Sequence, residues 1–226
     1  MPSSVILIFV VIYAFAALLM VTLHYAYVSE RSDDYKIYPY KPRRLTFMAR
    51  ARNIGGNMAM SGAGLVLVAV FLPERLFDTG EASVVRIVGE TLGVLAIYDF
   101  GYYFLHRYAF HEWKWMSKVH VMHHTNKKPT VAESLFAHPL EIGLGVVLFI
   151  LSMLIVGPIT PLAFAGSFAV FTLFNLLIHS GLDFRHPLLR PFAYLARKHA
   201  RHHASMRAGN YASISPLPDI VFGTAE

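Results

Sequence analysis

The chain has 226 residues, 55% of them hydrophobic, and a mean hydropathy of +0.47. That is too apolar for an ordinary soluble domain. It has no cysteine, which excludes disulfides and thiolate metal ligands. A net charge of +6 would admit a nucleic-acid partner, but the placement of the charge argues against one and for a membrane surface.

Five apolar segments, 4–28, 54–73, 83–105, 139–157 and 158–180, are each near the ~20 residues a bilayer core demands. The first lacks a basic leader, and its apolar run is longer than that of a secretory signal, so it reads as a retained membrane helix. The stretch 30–53 carries Ser32-Asp33-Asp34 and Tyr38-Pro39-Tyr40-Lys41-Pro42, an interfacial segment with aromatic anchors. Segment 83–105 contains Arg86, Glu90 and Asp99. Arg86 and Glu90, four apart, pair on one helical face. Asp99 lies two turns before His106. Its carboxylate either holds an imidazole N–H or bonds a neighbouring helix. The last two segments are divided only by Gly157-Pro158, with Pro161 just after, and form a tight helical hairpin.

Eighteen of the twenty Lys and Arg lie in 30–53, 106–138 and 181–226, whereas 74–82 holds only Arg75. The positive-inside rule then puts the N-terminus outside and the three basic stretches on the cytoplasmic face. The expected fold is all-α: one domain over 1–226, a multi-pass membrane bundle of four or five membrane helices under a cytoplasmic, histidine-rich helical cap.

Eight of the twelve histidines form three clusters: His106-Arg-Tyr-Ala-Phe-His111, His120-Val-Met-His123-His124 and His199-Ala-Arg-His202-His203. Neutral imidazole is the commonest protein ligand for transition metals. Eight imidazoles exceed the needs of one mononuclear site, so two metal ions are the simpler account. In HxxHH the positions i, i+3 and i+4 share a helical face, so one helix presents three imidazoles to one cavity. Two such helices facing each other supply six ligands. His106 and His111 are five apart, about 140° around a regular helix, and share a face only if the helix ends or unwinds between them. A change of direction is expected there, as the chain leaves the bilayer. His179, with Asp183 at i+4, completes the metal shell. His138, before Pro139, is a ligand or a helix cap. His24 and His186 are structural.

Several chemistries are excluded by their missing signatures. His111-Glu112 is not followed by the second histidine of HExxH, and no G-x-S-x-G, P-loop or G-x-G-x-x-G occurs. Glu112, Glu133 and Glu141 are the only glutamates near the clusters, too few for a carboxylate-bridged diiron bundle. A histidine-dominated diiron centre is still compatible with O₂ activation.

Asp99-Phe-Gly-Tyr-Tyr-Phe-Leu-His106-Arg-Tyr-Ala-Phe-His111 resembles the first histidine box of the fatty acid hydroxylase/sterol desaturase superfamily. Lys118-Val-His120-Val-Met-His123-His124-Thr resembles the second, and His138-Pro-Leu-Glu141 the segment that follows it. His199-Ala-Arg-His202-His203, Gly209-Asn-Tyr-Ala, Asp219 and Phe222-Gly-Thr224 resemble the last. Ile178-His179-Ser-Gly-Leu-Asp183 is similar to the corresponding stretch of sterol 4-methyl oxidases. The catalytic region so marked is about 98–224. Fatty acid 2-hydroxylases carry HxxxH where this chain has His179-x-x-x-Asp183, which disfavours that subgroup.

The resemblance implies a membrane-bound non-haem enzyme with two iron ions and O₂ as co-substrate. It would hydroxylate or desaturate an unactivated C–H position of a sterol, fatty acyl or sphingolipid substrate. Electrons would come from a separate donor of cytochrome b5, ferredoxin or reductase type, and the host would be a bacterial inner membrane or the endoplasmic reticulum. His106, His111, His120, His123, His124, His179, His199, His202 and His203 would hold the metals, with His138, Asp183 and Asp99 as further ligands or as supports for the ligands. The alternatives are a catalytically silent scaffold and a metal-binding or metal-transport membrane protein, the last of which needs ligands near the bilayer midplane.

Overall fold

The computed structural model describes residues 3–39 and 47–226, in which no strand occurs. Tyr40, Lys41 and Pro42 of the expected anchor segment lie outside the described residues. Nine α-helices are described: α1 (Ser3–Val28), α2 (Phe47–Phe71), α3 (Pro73–Leu76), α4 (Val84–Phe104), α5 (Lys114–His124), α6 (Pro139–Val156), α7 (Pro161–Ile178), α8 (Arg190–Ala204) and α9 (Leu217–Val221).

Four of them contain stretches long and apolar enough to cross a membrane: Val10–Val28, Met48–Phe71, Pro139–Val156 and Pro161–Ile178. Their outer faces stay apolar: Leu18 is 67% and Val21 63% exposed, surface that only lipid covers without penalty. The fifth expected segment is α4. It is helical and spans the bundle, but Arg86, Glu90 and Asp99 keep it out of that class. It lies against α6 and α7, with Tyr98 buried among Phe149 and Phe171. Its inner face lies in protein while Val85 and Leu92 on its outer face stay exposed, and its charged residues meet protein partners.

Those partners are specific. Arg86 Nε donates to Glu90 at 2.7 Å, the expected i,i+4 pair, and Nη2 to Asp78 at 2.7 Å. The other oxygen of Glu90 accepts the N–H (2.8 Å) and hydroxyl (3.0 Å) of Thr160. Thr160 in turn caps α7 by accepting from the Ala163 N–H at 3.1 Å. The hairpin expected across Gly157-Pro158 is present: Gly157 takes φ +103°, which ends α6, and Pro161 opens α7. This network ties one end of the bundle.

The other end carries the histidines. There α1 ends, α4 runs into the segment Leu105–Glu112, α6 begins, α7 ends, and α5, α8 and α9 form a cap. Asn57, buried within α2, donates to the carbonyls of Leu135 and Ala137, both at 3.0 Å, and so holds the entry to α6. Gly181, with φ +70°, packs where an added Cβ would meet the Tyr27 ring at 2.7 Å. This close approach lets the chain turn from α7 beneath α1.

Candidate metal centre

The segment Leu105–Glu112 is a π-helix, with the Trp113 N–H reaching back to the Tyr108 carbonyl at 2.9 Å. Each i→i+5 ring adds one residue to the turn, so positions five apart align as positions four apart do in an α-helix. The chain therefore widens between His106 and His111 where a change of direction was expected. Their Nε2 atoms come within 3.3 Å.

Nine imidazoles gather into two neighbouring groups. One contains His106, His111, His120, His124 and His202, the other His123, His179, His199 and His203. Each HxxHH motif is split between them. Helix α5 gives i and i+4 (His120, His124) to the first group and i+3 (His123) to the second. Helix α8 reverses this: His199 and His203 go to the second and His202 to the first. Adjacent helical positions differ by about 100°, so i+3 leans away from i+4 while staying on the same broad face. The two groups adjoin, with the rings of His124 and His203 stacked at 4.6 Å.

Backbone carbonyls fix the imidazole orientation. Nδ1 of His106 meets the Tyr211 carbonyl at 2.7 Å, His111 that of Met206 at 2.9 Å, and His202 that of Gly209 at 2.8 Å. His179 meets the Asn175 carbonyl at 2.8 Å and His203 that of Asn126 at 3.2 Å. A carbonyl only accepts, so each of these Nδ1 atoms carries the proton and each Nε2 holds a lone pair. The lone pairs converge. His106 Nε2 is 3.0 Å from His202 and 3.1 Å from His120, and His124 is 3.1 Å from His202. In the second group His179 is 2.8 Å from His199 and 3.2 Å from His123, and His199 is 3.0 Å from His203. Lone pairs so close repel unless a cation sits among them. Metal–nitrogen bonds of about 2.1 Å put neighbouring ligand nitrogens roughly 3.0–3.4 Å apart, and all the observed spacings but the 2.8 Å of His179–His199 fall in that range.

The other candidate residues stand elsewhere. His138 is exposed; its Nδ1 accepts from the Leu140 N–H at 3.1 Å, which makes it the cap of α6. Asp183 pairs with Arg197. Asp99 does not touch His106; it accepts the N–H groups of Ile214 (3.0 Å) and Ser215 (3.1 Å) and the Ser215 hydroxyl (2.6 Å). It thereby anchors the chain just after Tyr211, whose carbonyl holds His106. Asp219 does the same from the other side: it accepts from the Tyr211 and Ala212 N–H groups at 2.8 and 3.0 Å and pairs with buried Lys198. At Gly209 an added Cβ would meet the Thr224 carbonyl at 2.2 Å, so only glycine lets this carbonyl reach His202.

Sequence reasoning named Glu141 among the glutamates near the clusters and at the end of His138-Pro-Leu-Glu141, but gave it no role. It is buried, with Oε2 3.0 Å from His120 Nδ1, though off the hydrogen-bond axis. A carboxylate behind a metal-binding imidazole raises the basicity of that ligand. The available signal was its place in His138-Pro-Leu-Glu141, the segment that resembles the one after the second histidine box.

Burial holds the imidazoles of His106, His120, His199, His202 and His203 well below the usual histidine range, and neighbouring imidazoles add to the effect. His179 is pushed down to about 3 by burial and then by His123. Unfolded histidines titrate near ~6.5, so below that pH the unfolded chain binds protons that the folded one refuses. Stability is therefore complete above about pH 6.5 and falls as the pH drops toward the folded values. Protons also compete with a metal for the same lone pairs. Acidification from about pH 7 to 5 is expected to lower the unfolding temperature and release metal together. Thermal scans and metal analysis after dialysis check this; flat profiles down to pH 5 would contradict it.

An apolar slot among α1, α2, α4, α6 and α7 ends on this centre. It reaches His123, His179 and His199 of the four-histidine group and none of the five-histidine group. Glu141 also borders it.

Residues 91–224, more than half of the chain, match the model of the fatty acid hydroxylase family. The chain belongs to that family, within the wider fatty acid hydroxylase/sterol desaturase superfamily. It is similar to methylsterol monooxygenase 1 of Rattus norvegicus, 36% identical over 144 residues that cover 61% of this chain and 46% of the relative. The Danio rerio protein of the same name is 34% identical over 142 residues, 61% of this chain and 47% of the relative. That of Gallus gallus is 33% identical over 142 residues, 61% and 46%. The chain spans about half the length of the curated relatives it matches. No solved structure matches it.

Proposed function

We propose that this chain is a membrane-bound diiron monooxygenase that oxidises an unactivated C–H position of a lipid, with a methylsterol as the leading substrate class. The observation that carries this reading is the convergence of nine imidazole lone pairs, in groups of five and four, at the end of an apolar slot between membrane helices. Family membership and the methylsterol monooxygenase relatives support the reaction class.

His106, His111, His120, His124 and His202 would hold one iron, and His123, His179, His199 and His203 the other. Bound there, the two iron ions supply the redox chemistry: O₂ takes two electrons and two protons, one oxygen atom enters the C–H bond and the other leaves as water. The carbonyls of Met206, Gly209 and Tyr211 keep His111, His202 and His106 in the ligand tautomer. The slot excludes water and holds the lipid so that one carbon faces the four-histidine group. That placement sets the position oxidised. Hydroxylation and desaturation differ only in the fate of the carbon once it has been attacked.

The basic stretches support a cytoplasmic histidine end. Exposed Lys114, Lys118, Arg190 and Arg201 on that end suit a separate, acidic electron donor. The test is turnover of a methylsterol by purified, iron-loaded protein with a reducing donor under ¹⁸O₂. Incorporation of one labelled oxygen atom per product is expected. Unlabelled product, or turnover without O₂, would overturn the reading.

A further inference from the structure

Helix α9 has two unlike faces. Pro218 and Asp219 are buried, whereas Leu217, Ile220 and Val221 stay exposed, Ile220 at 59% and Val221 at 58%. Asp219 fixes this choice of faces. It accepts the N–H groups of Tyr211 and Ala212 at 2.8 and 3.0 Å and the Thr224 hydroxyl at 2.8 Å, and it pairs with buried Lys198. Rolling the helix to hide Ile220 and Val221 would break all of these contacts and leave Lys198 buried without its carboxylate. The apolar face therefore points outward by construction.

That face continues the outer face of α4. Phe222, the residue after α9, sets its ring 5.1 Å from Phe104 and 6.5 Å from Phe100. Leu92, Ala96, Phe100 and Phe104 are spaced by four and adjoin along the helix. Leu92, Ala96 and Phe104 are exposed, and Phe100 is half-buried beside Phe222. Helix α4 has 21 residues, roughly 32 Å at 1.5 Å per residue, which matches the ~30 Å core of a bilayer. Its last turn, where Phe222 sits, is then level with one edge of that core. Tyr108 stacks on Phe104 one turn further out, with the Arg107 guanidinium 5.0 Å from its ring. An aromatic ring beside a cation is the pairing that headgroups favour. The only charged residue of α9 is buried Asp219, so its outer face offers an acidic protein partner nothing to meet, and it suits lipid.

We propose that α9 is an interfacial foot of the cap: Leu217, Ile220, Val221 and Phe222 lie in lipid at the headgroup–acyl boundary, beside the last turn of α4. The cap then rests on the bilayer instead of standing clear of it. Because Asp219 on the inner face grips the N–H of Tyr211, whose carbonyl holds His106, the same short helix joins the lipid surface to the loop that orients the five-histidine group.

The test uses the full chain in phosphatidylcholine nanodiscs that hold one copy each. The chain has no cysteine, so Ile220→Cys gives a single site for an environment-sensitive fluorescent probe. Lys127→Cys, at an exposed loop position of the cap, gives the water-facing reference. Nitroxide lipids labelled on the upper acyl chain should quench the Ile220 probe about fivefold more than the Lys127 probe, and aqueous iodide should do the reverse. Val221→Cys should behave as Ile220→Cys does, so the result does not hang on one substituted position. Leu217→Glu combined with Val221→Glu should lift the Ile220 probe out of lipid and raise its iodide quenching to the Lys127 level, while the membrane helices keep the chain in the disc. Equal iodide quenching of the Ile220 and Lys127 probes without the glutamates would overturn the proposal and place α9 in water. Shielding from both iodide and nitroxide would also overturn it, because protein would then cover the face. In discs loaded with two copies, loss of the nitroxide quenching would overturn it in favour of a second copy of this chain as the occupant.

Discussion

Inserting one alanine after Ala109 is expected to strip metal from the five-histidine group although every histidine remains in the chain. In the π-helix Leu105–Glu112 it is the five-residue spacing that aligns His106 with His111. An added residue puts them six apart, and His111 swings by roughly 80–100° from its present bearing on His106. Its Nε2 then leaves the cluster, and its Nδ1 loses the Met206 carbonyl. Metal content should fall from about two ions per chain to about one, because a ligand that cannot reach contributes no binding energy. Turnover should fall below detection, and membrane insertion should be unaffected. Ala109→Ser, which keeps the length, should retain both metal and turnover. Full metal content in the variant with the added alanine would show that the five-residue spacing is incidental.

The second large effect follows from the splitting of each HxxHH motif. His202→Ala removes a ligand from the five-histidine group, and His199→Ala, three positions away on the same helix, removes one from the four-histidine group. Each variant should lose about one ion and keep the other, and each should abolish turnover, because the proposed reaction uses both. His199→Ala should also disturb lipid binding, because His199 borders the slot, whereas His202→Ala should not. If either variant lost both ions, the two groups would be one cooperative site.

Much of this centre was legible in the sequence, for identifiable reasons. Metal ligation constrains side-chain type and spacing, and HxxHH carries both. The hairpin at Gly157 and the Arg86–Glu90 pair were legible because backbone freedom and i,i+4 geometry are local. The π-turn was only half legible. A five-residue spacing shows that a regular helix fails, but bending and widening both repair it, and sequence does not choose between them. The carbonyls of Met206, Gly209 and Tyr211 were illegible in principle, because every residue has one and only the fold aims it. Asp99 shows the same limit. A carboxylate two turns before a histidine suggests a local partner, but its partners are Ile214 and Ser215, more than a hundred positions away. Asp183 likewise follows His179 at i+4 but pairs with Arg197. The helix has ended by then, so helical spacing no longer applies. His138 sits before Pro139, where its backbone is extended and its ring caps the helix it precedes.

Metal content per chain, by elemental mass spectrometry on protein purified in mild detergent, tests the central claim most directly. The geometry predicts about two ions per chain, iron when the protein is reconstituted under reducing conditions, held by groups of five and four imidazoles. Well-folded protein that binds no stoichiometric metal, or binds only one ion under saturating iron, would contradict the dinuclear centre and the oxygenase built on it.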